Sequence, residues 1–131
     1  MEIVRDLLEA FRKRDHERAF DFYASDIEWD ATDTPTADAA GVYRGHEGVR
    51  TYWRRWLSAW KDIDFEVQDL QDAGDEVVAL IHNQRQWGRH SGIVTEVPPY
   101  GLVFTIRSGK VVRWRAFGDQ KSALEAAGLT E

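Results

Sequence analysis

The stretch Tyr100–Leu129, YGLVFTIRSGKVVRWRAFGDQKSALEAAGL, leaves the chain few choices of fold. In Leu102–Arg107 the apolar set Leu102, Phe104 and Ile106 falls on one face and predicts a strand. Ser108-Gly109 predicts a tight turn, and Lys110–Phe117 predicts the strand that returns from it. Asp119 is placed to cap a short closing helix, and Gly128 to end it. Almost no residues separate these pieces, so hairpin and helix must pack on one another.

The rest of the chain reads as helices first and strands later. Ile3, Val4, Leu7, Leu8 and Phe11 recur at helical spacing and predict an amphipathic helix over residues 2–14. Asp15 caps a second short helix that carries Ala19, Phe20 and Tyr23. Ile27–Asp30 predicts a short strand, and Ala31–Gly41, rich in turn residues, a loop at a pocket rim. From His46 to Lys61, Val49, Tyr52, Trp53, Trp56, Leu57 and Trp60 form one apolar stripe, so this helix packs on a broad surface such as a sheet. Strands follow at Phe65–Gln68, Glu76–Trp87 and Ile93–Val97. Pro98-Pro99, unable to donate to a ladder, marks a break before Leu102. The order α-α-β-α-β-β-β-β-α is α+β. It predicts a cone-shaped, curved, mostly antiparallel sheet packed against three helices from the N-terminal half, with a short C-terminal helix.

Length and composition narrow the function classes. A chain of 131 residues predicts one domain, 1–131. It has no cysteine, which excludes disulfides, thiolate metal sites and cysteine nucleophiles. His16, His46, His82 and His90 show no ligand spacing, so neither a metal nor another cofactor is expected. The net charge of −6 argues against nucleic acid. Arg50, Arg54, Arg55 and Lys61 read as a solvated helix face. The N-terminus is charged from Glu2 and Arg5 onward and no segment approaches a membrane span, so a cytoplasmic protein with no membrane partner is expected. Six tryptophans are many for this length, and their indole N–H groups favour a wet cavity or an interface.

Residues along the whole chain resemble the SnoaL-like branch of the nuclear transport factor two-like superfamily. They are Asp15, Phe22-Tyr23-Ala24-Ser25-Asp26 leading into Ile27-Glu28-Trp29, and Tyr43-Arg44-Gly45-His46-Glu47-Gly48-Val49-Arg50. Further along are Ser91-Gly92, Gly109-Lys110-Val111-Val112, and Asp119 with Ala123-Leu124 and Ala127-Gly128-Leu129. The resemblance implies the α+β cone and leaves the chemistry to the site. Similar ketosteroid isomerases need a carboxylate base and a Tyr–Asp oxyanion hole. Here Asp30 or Asp33 answers to the base, but Leu7, Leu8, Gly101 and Leu102 stand where the oxyanion pair belongs, so that mechanism is rejected. Similar polyketide cyclases use a late Asp. Asp119 lies in that region, although a helix cap accounts for it better. The Arg between two aspartates of similar epoxide hydrolases has only Arg115, Asp119 and Asp30 to offer, with no spacing to enforce it.

Strand parity supplies the candidate site. In Glu76–Trp87, Val78, Leu80, His82, Gln84 and Gln86 share one face. If Leu80, Phe104 and Trp114 face the helices, His82 lies on the cavity side, and with Asp30 it forms an acid/base pair. Trp29, Trp56, Phe104 and Trp114 are the expected ligand-binding wall. The opposite face carries Arg85, Trp87, Arg113 and Arg115, a mixture that suits an interface, and the resemblance implies a homodimer through it. The expected function is binding of a small apolar molecule, with acid/base isomerisation, cyclisation, dehydration or hydrolysis as the chemistry. The alternative is a non-enzymatic binding or dimerisation module that uses its sheet face.

Overall fold

The computed structural model describes residues 1–34 and 39–129. Helix α1 spans Glu2–Arg12, α2 His16–Ala19, α3 Gly45–Ala59 and α4 Gln120–Ala126. The strands are β1 Tyr23–Asp30, β2 Val42–Arg44, β3 Trp60–Ala73, β4 Glu76–Gly88, β5 Val94–Val97, β6 Tyr100–Arg107 and β7 Lys110–Phe117. They form one sheet in the order β2-β1-β7-β6-β4-β3, with β5 also paired to β4. Only β1 and β7 run parallel among these pairs. This is the expected α+β cone. Residues 35–38 of the Ala31–Gly41 loop lie outside the described residues.

Local chemistry accounts for the element ends. Ser108 and Gly109 both have positive φ, 53° and 76°, the backbone of a two-residue hairpin turn. Asp119 accepts from the Ser122 N–H at 2.7 Å, and after α4 the N–H groups of Gly128 and Leu129 return to the Glu125 and Leu124 carbonyls. The same closing motif ends α1. Arg14 and Asp15 N–H bond the Phe11 and Ala10 carbonyls, and Arg14 takes φ 58°, a conformation disfavoured for a residue with a Cβ. The short second helix ends earlier than its spacing implied. A 3₁₀ turn over Phe20–Phe22 follows α2, and Tyr23 already belongs to β1.

The sheet has two unlike faces. Toward α1 and α3 it presents Val77, Ala79, Ile81, Leu102, Phe104, Trp114 and Ala116, which pack with Val4, Leu7, Leu8 and Val49. Each such large apolar side chain contributes about 1.5–3 kcal/mol on full burial. The other face carries Val78, Leu80 and Val103, on which Ala123 of α4 packs to form a smaller cluster. Gly101 makes that docking possible, because a Cβ there would stand 2.4 Å from the Ala123 Cβ.

A bulge in β4 rearranges its faces. His82 stands opposite Glu66 and Arg85 opposite Asp64, so β4 advances three residues while β3 advances two. The extra residue is Asn83, at φ 51°, a region Asn tolerates better than most residues. Its Nδ2 donates to Glu66 Oε1 at 2.7 Å. Before the bulge Val77, Ala79 and Ile81 point inward. After it Gln84 and Gln86 do, and both are buried. The expected parity is therefore correct beyond Asn83 and inverted before it. Leu80 belongs to the outer face, and His82 lies outside the core, in a groove against α1. A second bulge, between Thr105 and Ile106, brings Val111 to the core side in place of Val112.

Candidate functional site

The cone encloses a cavity of about 270 Å³ between α1, α3 and the inner sheet face. Its position follows from how β4 is paired. The first half of β4 pairs with β6, the second half with β5, and Pro98-Pro99 separates the two partners. Gln84 and Gln86, beyond the bulge, line the cavity together with Ile81 before it and Leu102, Trp114 and Ala116 on the neighbouring strands.

The large side chains of the wall are aromatic, among them Phe11, Tyr52, Trp53, Trp56, Phe65 and Trp114. Helix α3 supplies three of these, from the stripe that its periodicity announced. Trp114 is held from behind by Trp29, whose ring stacks on it at 4.0 Å and 8°. Trp29 also meets Phe11, Tyr52 and Trp53 at 6.5, 5.5 and 6.2 Å. The wall is thus continuous with the core.

Inside, the polar groups form one chain. The Tyr100 hydroxyl donates to Gln84 Oε1, and Gln84 Nε2 donates to Gln86 Oε1 at 2.6 Å. Burial pushes the Tyr100 hydroxyl pKa upward against the opposing effect of its bond to Gln84. Tyr52 is pushed upward as well, by burial first and then by the neighbouring Tyr100 and Tyr43. Both hydroxyls therefore keep their protons at neutral pH.

The charged groups of the lining and its histidine are half-buried or exposed: Arg14, His16, Lys61 and Asp62. Arg14 pairs with Asp62. His16 packs on Trp53 at 4.8 Å, and its Nδ1 has no hydrogen-bond partner among the described residues. Burial lowers the His16 pKa, more than Asp15 and Glu17 raise it, so the imidazole is neutral at pH 7. Among the described residues no three His, Asp or Glu side chains gather closely enough to hold a metal ion.

The expected site residues are placed unevenly. Trp56 and Trp114 line the cavity. Trp29 and Phe104, both 0 % exposed, lie behind its wall. His82 does not line it. It lies in a groove against α1, with Glu9, Arg12 and Glu66, and its Nε2 is 3.3 Å from Glu66 Oε1. Asp30 alternates with the inward Trp29 and accepts from the Thr32 N–H at 3.1 Å. Strands β1 and β4 are separated by β7 and β6, which puts roughly 14 Å between them at the usual strand spacing. The structure does not bring His82 and Asp30 together. Asp33 is occupied by the Gly118 N–H at 3.1 Å.

Arg85, Trp87, Arg113 and Arg115 do share the outer face. Arg113 and Arg115 pair there with Glu28 and Glu76 at 2.9 and 3.1 Å, and Arg85 with Asp64 at 3.6 Å. His16, Tyr100, Gln84 and Gln86 escaped the sequence reading as site residues. Gln84 and Gln86 carried a signal, two amides alternating on one face of the polar second half of β4.

The model of the SnoaL-like domain matches residues 4–114. No curated protein matches the chain. Among solved structures, an NTF2-like protein of unknown function from Burkholderia pseudomallei is similar, with 21% identity, 95% of this chain and 94% of that one covered, and a TM-score of 0.81. TerC, co-crystallised with polyporic acid, is 19% identical over 97% and 96% of the two chains, with a TM-score of 0.76. A hypothetical protein with a ketosteroid isomerase-like fold from Catenulispora acidiphila, in complex with trimethylamine, is 16% identical over 98% and 93%, with a TM-score of 0.74.

Proposed function

The chain belongs to the SnoaL-like domain family, and on that premise we propose that it is a small-molecule pocket protein whose cone takes one largely apolar ligand. The cavity of about 270 Å³ carries this reading, with its aromatic wall and few converging polar groups, the usual make-up of a ligand site. Two proteins of similar fold support it, one crystallised with polyporic acid and one with trimethylamine.

If the pocket performs chemistry, the class is proton transfer by protein groups, as in isomerisation, cyclisation, dehydration or hydrolysis. His16 is then the acceptor, because it is the histidine of the cavity lining and burial keeps its imidazole neutral. Tyr52 and Tyr100 remain protonated and serve only as donors. Titration with a panel of small aromatic molecules, followed by tryptophan fluorescence and melting temperature, tests the reading. Quenching with a rise in Tm is expected, and Trp56→Ala weakens both. A panel in which no apolar molecule moves either signal overturns it.

A second reading uses the outer sheet face to join two copies of the chain. Exposed Ile93 and Val94 favour it, since Val94 stands opposite Trp87 on the neighbouring strand. Trp87→Glu should shift the oligomer toward monomer on sizing, and an unchanged elution volume counts against this surface.

A further inference from the structure

The cavity lining is buried at depth and reaches solvent at one end. Phe65, Gln86 and Trp114 are buried, whereas the lining residues open to water fall on three parts of the chain. They include Arg14 and His16 around the start of α2, Trp53 and Leu57 on α3, and Lys61 and Asp62 at the start of β3. The mouth of the cone therefore lies between the turn that follows α1, the second half of α3 and β3. One ion pair bridges this rim, Arg14 with Asp62, 48 residues apart in sequence. Nε and Nη2 of Arg14 both reach Asp62 Oδ1. That oxygen also accepts from the Ile63 N–H at 2.8 Å, which fixes the carboxylate on its own strand. The Arg14 backbone is fixed by the bonds that close α1. Only the Arg14 side chain has to swing for the contact to break.

We propose that the Arg14–Asp62 pair is a latch across the mouth of the cone, which sets how fast a ligand enters and leaves. The inference rests on the reading of the cone as a ligand site. The strength of the pair makes it a latch and not a permanent closure. The Arg14 side chain is 54% exposed and that of Asp62 34%, so water and salt screen their attraction. A pair in this setting biases an equilibrium by about fivefold at most. It therefore opens often, and no backbone bond of the turn has to break when it does. Its position makes the effect kinetic. Both charges stand at the rim and the buried lining carries none, so an uncharged ligand gains nothing from either once inside.

The test is stopped-flow fluorescence of N-phenyl-1-naphthylamine, an uncharged probe that brightens in apolar surroundings, mixed with the whole chain. Arg14→Met and Asp62→Asn should each raise the entry rate about two- to fivefold and the exit rate in the same proportion, with Kd unchanged. Asn keeps an acceptor for the Ile63 N–H, so that variant leaves β3 in place. The double variant should be no faster than either single one, because each already breaks the pair. Raising the salt from about 0.05 to about 0.5 M should speed the parent and leave the variants as they are. Unchanged rates in both variants, or a change in Kd carried by the exit rate alone, overturn the latch and leave the ligand cavity standing. A probe that enters the variants but not the parent supports the latch. No binding to parent or variants overturns both inferences.

Discussion

Trp29 and Trp114 stand opposite each other on the parallel strands β1 and β7, and their rings stack at 4.0 Å with 8° between planes. The pair joins core to cavity, since Trp29 is 0% exposed and Trp114 lines the pocket. Removing the inner ring should therefore damage stability first and binding second. Trp29→Ala should cost about 3–5 kcal/mol, measured by urea unfolding, and should loosen the wall behind Trp114. A cost below about 1 kcal/mol would mean that the stack does not support the wall.

The bulge at Asn83 decides what the cavity contains. Deleting Asn83 restores simple alternation and should turn Gln84 and Gln86 outward, with Arg85 and Trp87 inward. Ligand binding should be lost and the melting temperature should fall. Asn83→Gly, which tolerates φ 51°, should keep binding and stay within about 1 kcal/mol of the parent. Asn83→Val should cost about 1–2 kcal/mol. A deletion variant that binds like the parent would refute this role.

Helix α4 docks where Gly101 leaves room. Gly101→Ala puts a Cβ 2.4 Å from that of Ala123, and the overpacking should cost about 1–3 kcal/mol by chemical denaturation. Adding Ala123→Gly should restore a measurable part of it, because the two sites are in contact. Strictly additive costs would show that the strain lies elsewhere.

His16 makes stability depend on pH. Its folded pKa lies below the ordinary 6.5 because burial disfavours the imidazolium. Below pH 6.5 the unfolded chain therefore binds more protons at this site than the folded one. Stability should fall as pH drops from 6.5 toward the folded pKa and stop changing, for this group, below it. His16→Gln should flatten that part of the profile. Proton NMR titration should place the His16 midpoint below 6.5, and a midpoint above it would reverse the sign.

Much of the fold was legible because helix and strand signals are local. Lys110–Phe117 is the strand expected, residue for residue, and Asp119 and Gly128 act at the ends of α4 as their chemistry implies. The α3 stripe announced Trp56 as a wall residue, and the outward face of Arg85, Trp87, Arg113 and Arg115 followed from alternation. β2 escaped notice, three residues with one buried side chain, too short to carry a period. β3 runs far beyond Phe65–Gln68 because its pairing with β4, not its own alternation, sets its length.

By itself, then, the sequence determined the order of the longer elements, the amphipathic stripes of the helices and the α+β class, since each is written in the spacing of neighbouring residues. Only the tertiary structure decided which groups meet in the cavity. A bulge is one residue too many relative to a partner strand, so Asn83 has no signature within β4 alone, yet beyond it Gln84 and Gln86 turn into the cavity that His82 does not line. The chain from Tyr100 through Gln84 to Gln86, and the approach of His16 to Trp53, likewise join residues far apart in sequence. Such contacts exist only once strand register and helix docking bring separate elements together.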